Sequence, residues 1–237
     1  MNMNTLLILL QINVADSAAT VVEEGTEQMS LSFLDLAMKG GWIMIPILLL
    51  SVIAIYIFVD RYIAIKNVSK DESPFMDQIK QYIHDGKISE AMSVCKAKEG
   101  PVARMIEKGI NQIGRPLNDI NASIENVGKQ EIYKLEKGLP TLATTAGAAP
   151  MIGFLGTVIG MIRAFYDMAT ISGGNINVAV LSNGIYTAMV TTVAGLIVGI
   201  VAYFAYNILV ARVEKVVFNL ESSSSQFMDL LKEPASK

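Results

Sequence analysis

Four threonines are the candidates for chemistry in this sequence. Thr157 lies in TAGAAPMIGFLGTVIGM (145–161), and Thr187, Thr191 and Thr192 lie in YTAMVTTVAGL (186–196), two stretches without a single charge. A threonine hydroxyl can bond back to its own helix, cross a bilayer cheaply, and still offer an oxygen to water or to an ion. That is the chemistry of passage rather than of bond making. The remaining reactive side chains add little. Cys95 is the single cysteine and His84 the single histidine, which excludes an intrachain disulfide framework and argues against a zinc site. Cys95 has no base near it in sequence and reads as core filler; His84, beside Asp85-Gly86, reads as a solvated turn residue, with a titrating pH sensor as the alternative. No phosphate loop or nucleophile elbow is present, so catalytic residues, metal ligands and cofactors are all expected to be none.

The elements that must position the threonines follow from composition. With 52% hydrophobic residues, 17% charged residues and a mean hydropathy of +0.44, the chain reads as an all-α integral membrane protein. A net charge of -3 gives no reason to expect nucleic acid. Three segments are long and apolar enough to span about 20 helical residues of hydrocarbon: transmembrane helices are expected over 42–65, 139–168 and 178–211. The third exceeds the bilayer and must project at one end. The turn 169–177, containing SGGNIN, suits two antiparallel neighbours.

Orientation comes from the basic residues. Residues 66–137 hold twelve of the nineteen Lys and Arg, and Arg61, Arg212, Lys215, Lys232 and Lys237 fall on the same side; only Lys39 and Arg163 lie towards the other. The N-terminus is therefore expected outside and the C-terminus in the cytoplasm, with a periplasmic turn at 169–177. Residues 66–138 form a cytoplasmic helical domain, and 212–237 a cytoplasmic C-terminal helix and tail, so that long helices continue from the membrane into a cytoplasmic bundle. Residues 1–28 read as an extracytoplasmic segment, with an apolar run that is too short to span and lacks a positive start; a retained segment is expected, with a weak signal peptide as the alternative. Residues 29–41, with Leu31, Leu34 and Met38 at helical spacing before Trp42, read as an amphipathic helix on the outer membrane surface.

At about 100° per residue, Ala146, Ala149, Pro150, Gly153, Gly156, Thr157 and Gly160 share a stripe about 120° wide on the second span. Gly184, Thr187, Ala188, Thr191, Thr192, Gly195, Gly199, Ala202 and Ala205 share one of about 140° on the third. Small residues let helices approach closely, which is the plain account of any one GxxxG such as Gly156 to Gly160. Two matched stripes that also carry threonines shift the reading away from packing alone, towards faces whose hydroxyls offer an oxygen to water or to an ion. Neither stripe holds a carboxylate or a lysine within the spanning region. Asp167, four residues after Arg163, sits near the outer end and is expected to form a structural i, i+4 ion pair with it, with a role at the channel mouth as the alternative.

The stretches EAMSVCKAKEGPVARMIEKGI (90–110), LATTAGAAPMIGFLGTVIGMIRAF (142–165) and LSNGIYTAMVTTVAGLIVGIVAYFAYN (181–207) resemble the MotA/TolQ/ExbB proton-channel family, most of all its ExbB/TolQ branch. The likeness runs in order and topology over roughly residues 30–220. It implies a homopentameric ring whose second and third helices line a pore, and an ExbD-like single-span partner that inserts two copies and supplies a transmembrane Asp. It also implies a TonB-like protein to which ion-driven motion is passed, and a bacterial inner-membrane location. By the same resemblance Thr157 and Thr192 match the pore threonines, with Thr187 and Thr191 beside them in the ion pathway. Ala149, Pro150, Gly153, Gly156, Gly160, Gly184, Ala188, Gly195 and Gly199 are expected to form the partner-helix packing stripe. Thr187 stands where well-known enterobacterial relatives carry Glu, which leaves Na+ as the alternative to H+. A TolQ-like envelope or gliding motor, and a non-conducting membrane scaffold whose stripes merely pack helices, remain the other readings.

Overall fold

The computed structural model describes residues 40–68, 73–171 and 178–232. The expected extracytoplasmic segment 1–28, the amphipathic helix up to residue 39, residues 172–177 of the turn and the tail from 233 lie outside the described residues.

All regular structure described is helical, and three helices are long and apolar enough to cross a membrane: the chain is a three-span all-α membrane bundle. A single 3-10 turn, Gly41–Ile43, opens the first span, with Gly41 at φ 68°, where a side chain would be strained. It runs into α1 (Met44–Val68), about 37 Å long by helical rise. Pro46 falls in the first turn of α1, where its missing N–H leaves no bond unmade. Ile47 and Ala54 are buried against the rest of the bundle, while Ile45, Leu48, Val52, Ile55, Val59 and Ile63 are exposed, as a lipid-facing helix requires.

Four shorter helices follow: α2 (Ser73–His84), α3 (Ile88–Ala97), α4 (Pro101–Ile110) and α5 (Leu117–Glu136). Each buries one stripe at helical spacing, including Phe75, Met76 and Ile79 on α2, Ala91 and Cys95 on α3, and Ile120, Ile124 and Leu135 on α5. Gly86 (φ 70°) makes the α2–α3 turn, and Pro101 starts α4, where the first helical position favours it. Gly109 brings α4 so close that a methyl there would lie 2.6 Å from the Phe227 ring and 2.7 Å from Ile124. The α5 pattern does not continue unbroken into the second span. Gly138, at φ 89°, turns the chain before α6 (Leu139–Ile171), which is why a glycine stands between two long helices.

The longest element is α7 (Val178–Lys232), 55 residues and about 80 Å by helical rise. A bilayer core takes about 30 Å of that. The remainder becomes the spine of the α2–α5 bundle. Leu209, Val213, Val216, Leu220, Ser223, Phe227 and Leu230 are all buried and alternate at four and three residues, the heptad spacing of a seam that holds one stripe of a helix against its neighbours. Cys95 belongs to the same core; its thiol is 2% exposed, and burial, with the nearby Glu107 charge, pushes its pKa up to about 11. It is not ionised at neutral pH and so is no nucleophile.

Candidate functional site

The site is built by two antiparallel helices, α6 and α7, joined through their smallest residues. A methyl placed on Gly153 would lie 2.8 Å from the Thr191 carbonyl oxygen and 3.2 Å from the Gly195 Cα. One on Gly160 would lie 2.8 Å from the Ala188 Cβ, one on Gly195 2.5 Å from the Ala149 carbonyl oxygen, and one on Gly199 2.5 Å from the Pro150 ring. Gly184 faces Ala164 and Gly156 faces the Thr191 side chain just as closely. Backbone meets backbone along this seam. In lipid there is no hydrophobic drive to bring helices together, so close approach and the dispersion it allows must do so.

This corrects one expectation. Ala149, Pro150, Gly153, Gly156, Gly160, Gly184, Ala188, Gly195 and Gly199 do not present an open stripe to a partner helix; the two small faces close on each other within the chain. The wheel grouped these residues correctly, but an angle on one helix says nothing about what that angle meets.

The threonines divide between the two sides of the seam. Measured from Gly153, Gly156 lies about 60° towards the Gly41–Ile43 turn, whose Ile43 side chain it approaches, and Thr157 about 40° the other way. Measured from Gly195 on α7, Thr191 lies about 40° towards that same turn, with Thr187 beyond it, and Thr192 about 60° away from it. Thr157 and Thr192 therefore share the side away from α1, and Thr187 and Thr191 the side facing it. Thr191 is 2% exposed; its hydroxyl donates to the Ala188 carbonyl at 2.7 Å and more weakly to the Gly153 carbonyl at 3.4 Å. Thr192, half-buried, donates to the Gly153 carbonyl at 3.0 Å, a bond from one helix to the other. Thr157, also half-buried, donates to the Phe154 carbonyl of its own helix at 2.6 Å. By the register of the glycine contacts, Thr157 and Thr192 lie within about 3 Å of each other along the helix axes.

Thr187 instead lines a cavity of about 540 Å3 at the Gly41 end of the seam, with Gly160, Arg163, Asp167 and Asn183. The expected Arg163–Asp167 ion pair does not form: among the described residues neither side chain makes a hydrogen bond or salt bridge. Two solvated charges at a helix end gain well under about 1 kcal/mol from pairing, too little to fix both side chains.

At the other end of the spans the polar contacts are specific. Glu131 on α5, 5% exposed, accepts from Arg104 of α4 and from Lys134 at 2.7 Å, and Arg61 of α1 donates to the Lys134 carbonyl at 2.9 Å. Arg212 of α7 stacks 4.3 Å from the Tyr62 ring centre. Only the i, i+3 pair of Glu131 and Lys134 could be read from sequence; Arg104 is 27 residues away. Burial pushes the Glu131 pKa up, but the hydrogen bonds and charges of Lys134 and Arg104 outweigh it and hold the carboxyl below its ordinary value of 4.5. A lowered folded-state pKa gives stability that is complete above the unfolded value and is lost as pH falls through the folded one. Glu131→Gln should therefore lose about 1–2 kcal/mol at pH 7, discounted for the half-exposed Arg104, and the difference from the parent should shrink below about pH 4.5. Thermal melts of both proteins at pH 7 and pH 4 check this; a constant difference would mean that the carboxylate contributes no charge-dependent stability.

Among the described residues no group of three His, Cys, Asp or Glu could hold a metal ion. Comparison with known proteins adds the lineage. Residues 97–222 match the MotA/TolQ/ExbB proton channel family. The chain is 27% identical over 177 residues to an ExbB homolog of Methanothermobacter thermautotrophicus, covering 73% of this chain and 62% of that protein. It is 30% identical over 141 residues to the Tol-Pal system protein TolQ of Pseudomonas aeruginosa, covering 55% and 60%, and 27% identical over 217 residues to TolQ of Haemophilus influenzae, covering 85% and 94%. The match thus spans about three-fifths of the length of two of these relatives and nearly all of the third.

Proposed function

The chain belongs to the MotA/TolQ/ExbB proton channel family, and from that premise we propose that it is the ring-forming subunit of an ion-driven motor. It is a multi-pass inner-membrane protein of a channel family rather than a catalytic enzyme. In the proposed assembly five copies surround two copies of an ExbD-like single-span protein, and proton flow is passed to a TonB-type protein that energises outer-membrane transport. A TolQ-like envelope or gliding role would use the same parts with a different load. The bundle of α2–α5, rich in Lys and Arg, and the far end of α7 lie in the cytoplasm, and the Gly41 end of the spans faces outside.

One observation carries this reading: Thr157 and Thr192 stand level with each other on the side of the α6–α7 pair away from α1. No Asp, Glu, Lys, Arg or His occurs in residues 139–162 or 178–211, so a proton carrier at that depth must come from another chain. Thr187 lies on the opposite side, so its standing where relatives carry Glu bears on the outer cavity rather than on this face, and H+ remains the proposed ion ahead of Na+. The second reading, a non-conducting scaffold, is favoured by the small-residue faces being used up within the chain. The mass of the detergent-extracted complex decides between them. The motor requires five copies with two of a single-span protein, and its vesicles must discharge an imposed pH gradient. A lone chain in proton-tight vesicles would leave only the scaffold.

A further inference from the structure

We infer that the groove between α5 and α7 at the cytoplasmic end of the spans is a docking surface for a cationic juxtamembrane segment, the Lys- or Arg-bearing flank of a single-span membrane protein. The inference rests on the motor reading and gives the partner a second point of contact, outside the lipid.

The groove has a volume of about 650 Å3 and lies where the helices leave the apolar stretches 139–162 and 178–211. Leu139, Val210, Val217 and Phe218 supply its apolar lining, Glu136, Glu214 and Glu221 its charged one. Among the described residues none of the three carboxylates makes a hydrogen bond or an ion pair. Lys137 and Lys215 are next to Glu136 and Glu214 in sequence but do not line the groove, and no other Lys or Arg does. The adjoining cavity of about 710 Å3, which shares Ile132 and Glu221, is different: it holds Lys129 and Lys232 beside Glu125 and Asp229, and Lys232 pairs with Asp229 at 3.0 Å. The groove nearer the membrane is left with three carboxylates and no cation.

Its position indicates the occupant. Val210 lies eighteen residues beyond Thr192 and Leu139 eighteen before Thr157, about five full turns in each case, so the groove continues the face that carries both threonines, about 27 Å along the helix axes. A single-span helix lying on that face leaves the hydrocarbon here, and its cytoplasmic flank carries Lys and Arg by the same bias that orients this chain. Such side chains lay their methylenes on apolar surface and carry the charge to its edge. Phe218, 69% exposed and seven residues past the apolar stretch, offers that surface, and the carboxylates meet the charge. Lipid is the wrong cover, because anionic headgroups of the cytoplasmic leaflet are repelled by three carboxylates.

The photoreactive residue p-benzoylphenylalanine in place of Phe218, in membranes holding the full complex, reports on irradiation what covers the groove. Peptide masses are expected to place the adducts on a single-span protein, in a Lys- or Arg-bearing segment within about 15 residues of the cytoplasmic end of its helix. Combining Glu214→Lys with Glu221→Lys should lower the adduct yield about tenfold, and combining Glu214→Gln with Glu221→Gln about threefold. Both pairs should melt with the parent, since these carboxylates hold nothing within the chain. The same label at Tyr133, exposed on α5 outside the groove, should not capture that segment. Adducts only to lipid or to a second copy of this chain, equal capture from Tyr133, or a yield indifferent to charge reversal would overturn the inference; a single-span protein still present in the complex would leave the motor reading standing. A complex without any single-span protein would remove both.

Discussion

Gly153→Leu is expected to unfasten α6 from α7 while leaving the chain in the membrane. A single methyl at residue 153 already meets the Thr191 carbonyl oxygen at 2.8 Å, the Thr192 Cα at 3.1 Å and the Gly195 Cα at 3.2 Å, all of them backbone atoms that cannot turn aside. Three further carbons have no room unless the helices separate, and separation breaks the Thr192 bond to the Gly153 carbonyl as well. Overpacking of a closed contact costs about 1–3 kcal/mol, and an interhelical hydrogen bond in a membrane adds about 0.6 kcal/mol. The melting temperature of the purified protein should fall in the order glycine, alanine, leucine at this position. Membrane insertion should be unchanged, since hydropathy rises. A leucine variant that melts with the parent would show that the seam is looser than these distances. The same substitution at Gly147, where a methyl meets nothing within 4 Å in the chain, serves as the control and should leave the melt alone.

The double change Thr157→Val, Thr192→Val should lower ion-driven flux at least tenfold, or about 1.4 kcal/mol on the barrier, in complexes that assemble to normal levels. Valine keeps the shape and removes the oxygens. The single variants separate conduction from packing. Thr157 bonds within its own helix, so Thr157→Val should lose flux with no change in melting. Thr192 ties α7 to α6, so Thr192→Val should lose flux and also about 0.6–1.7 kcal/mol of stability. Full flux through the double variant would sink the role given to these hydroxyls, whatever happened to the melting temperature.

Much of the architecture was legible because membrane helices announce themselves by length and oiliness alone. The three spans, the helical nature of the bundle and the burial of Cys95 needed only composition and a 3.6-residue period. The projection of the third span beyond the bilayer followed from its length, yet nothing in the local sequence said that it would run unbroken to Lys232 as the spine of the bundle. That depended on the seam from Leu209 to Leu230 finding α2, α4 and α5 to pack against. Glu131 and Arg104 were invisible as a pair for the same reason: separation along the chain hides proximity until the helices dock.

The sequence by itself determined that residues 139–162 and 178–211 carry no Asp, Glu, Lys, Arg or His, and that any such charge along these stretches must come from elsewhere. Side-chain chemistry and hydropathy are properties of residues, so counting them suffices. Only the tertiary structure decided which way the small stripes point, that they close on each other, and that Thr157 and Thr192 fall on one side of the seam with Thr187 and Thr191 on the other. A helical wheel fixes the angle between two residues on one helix, but the facing of a helix is set by the contacts of the whole bundle. The same four threonines could have formed one cluster or two; the close approach of Gly153 to Gly195 made it two.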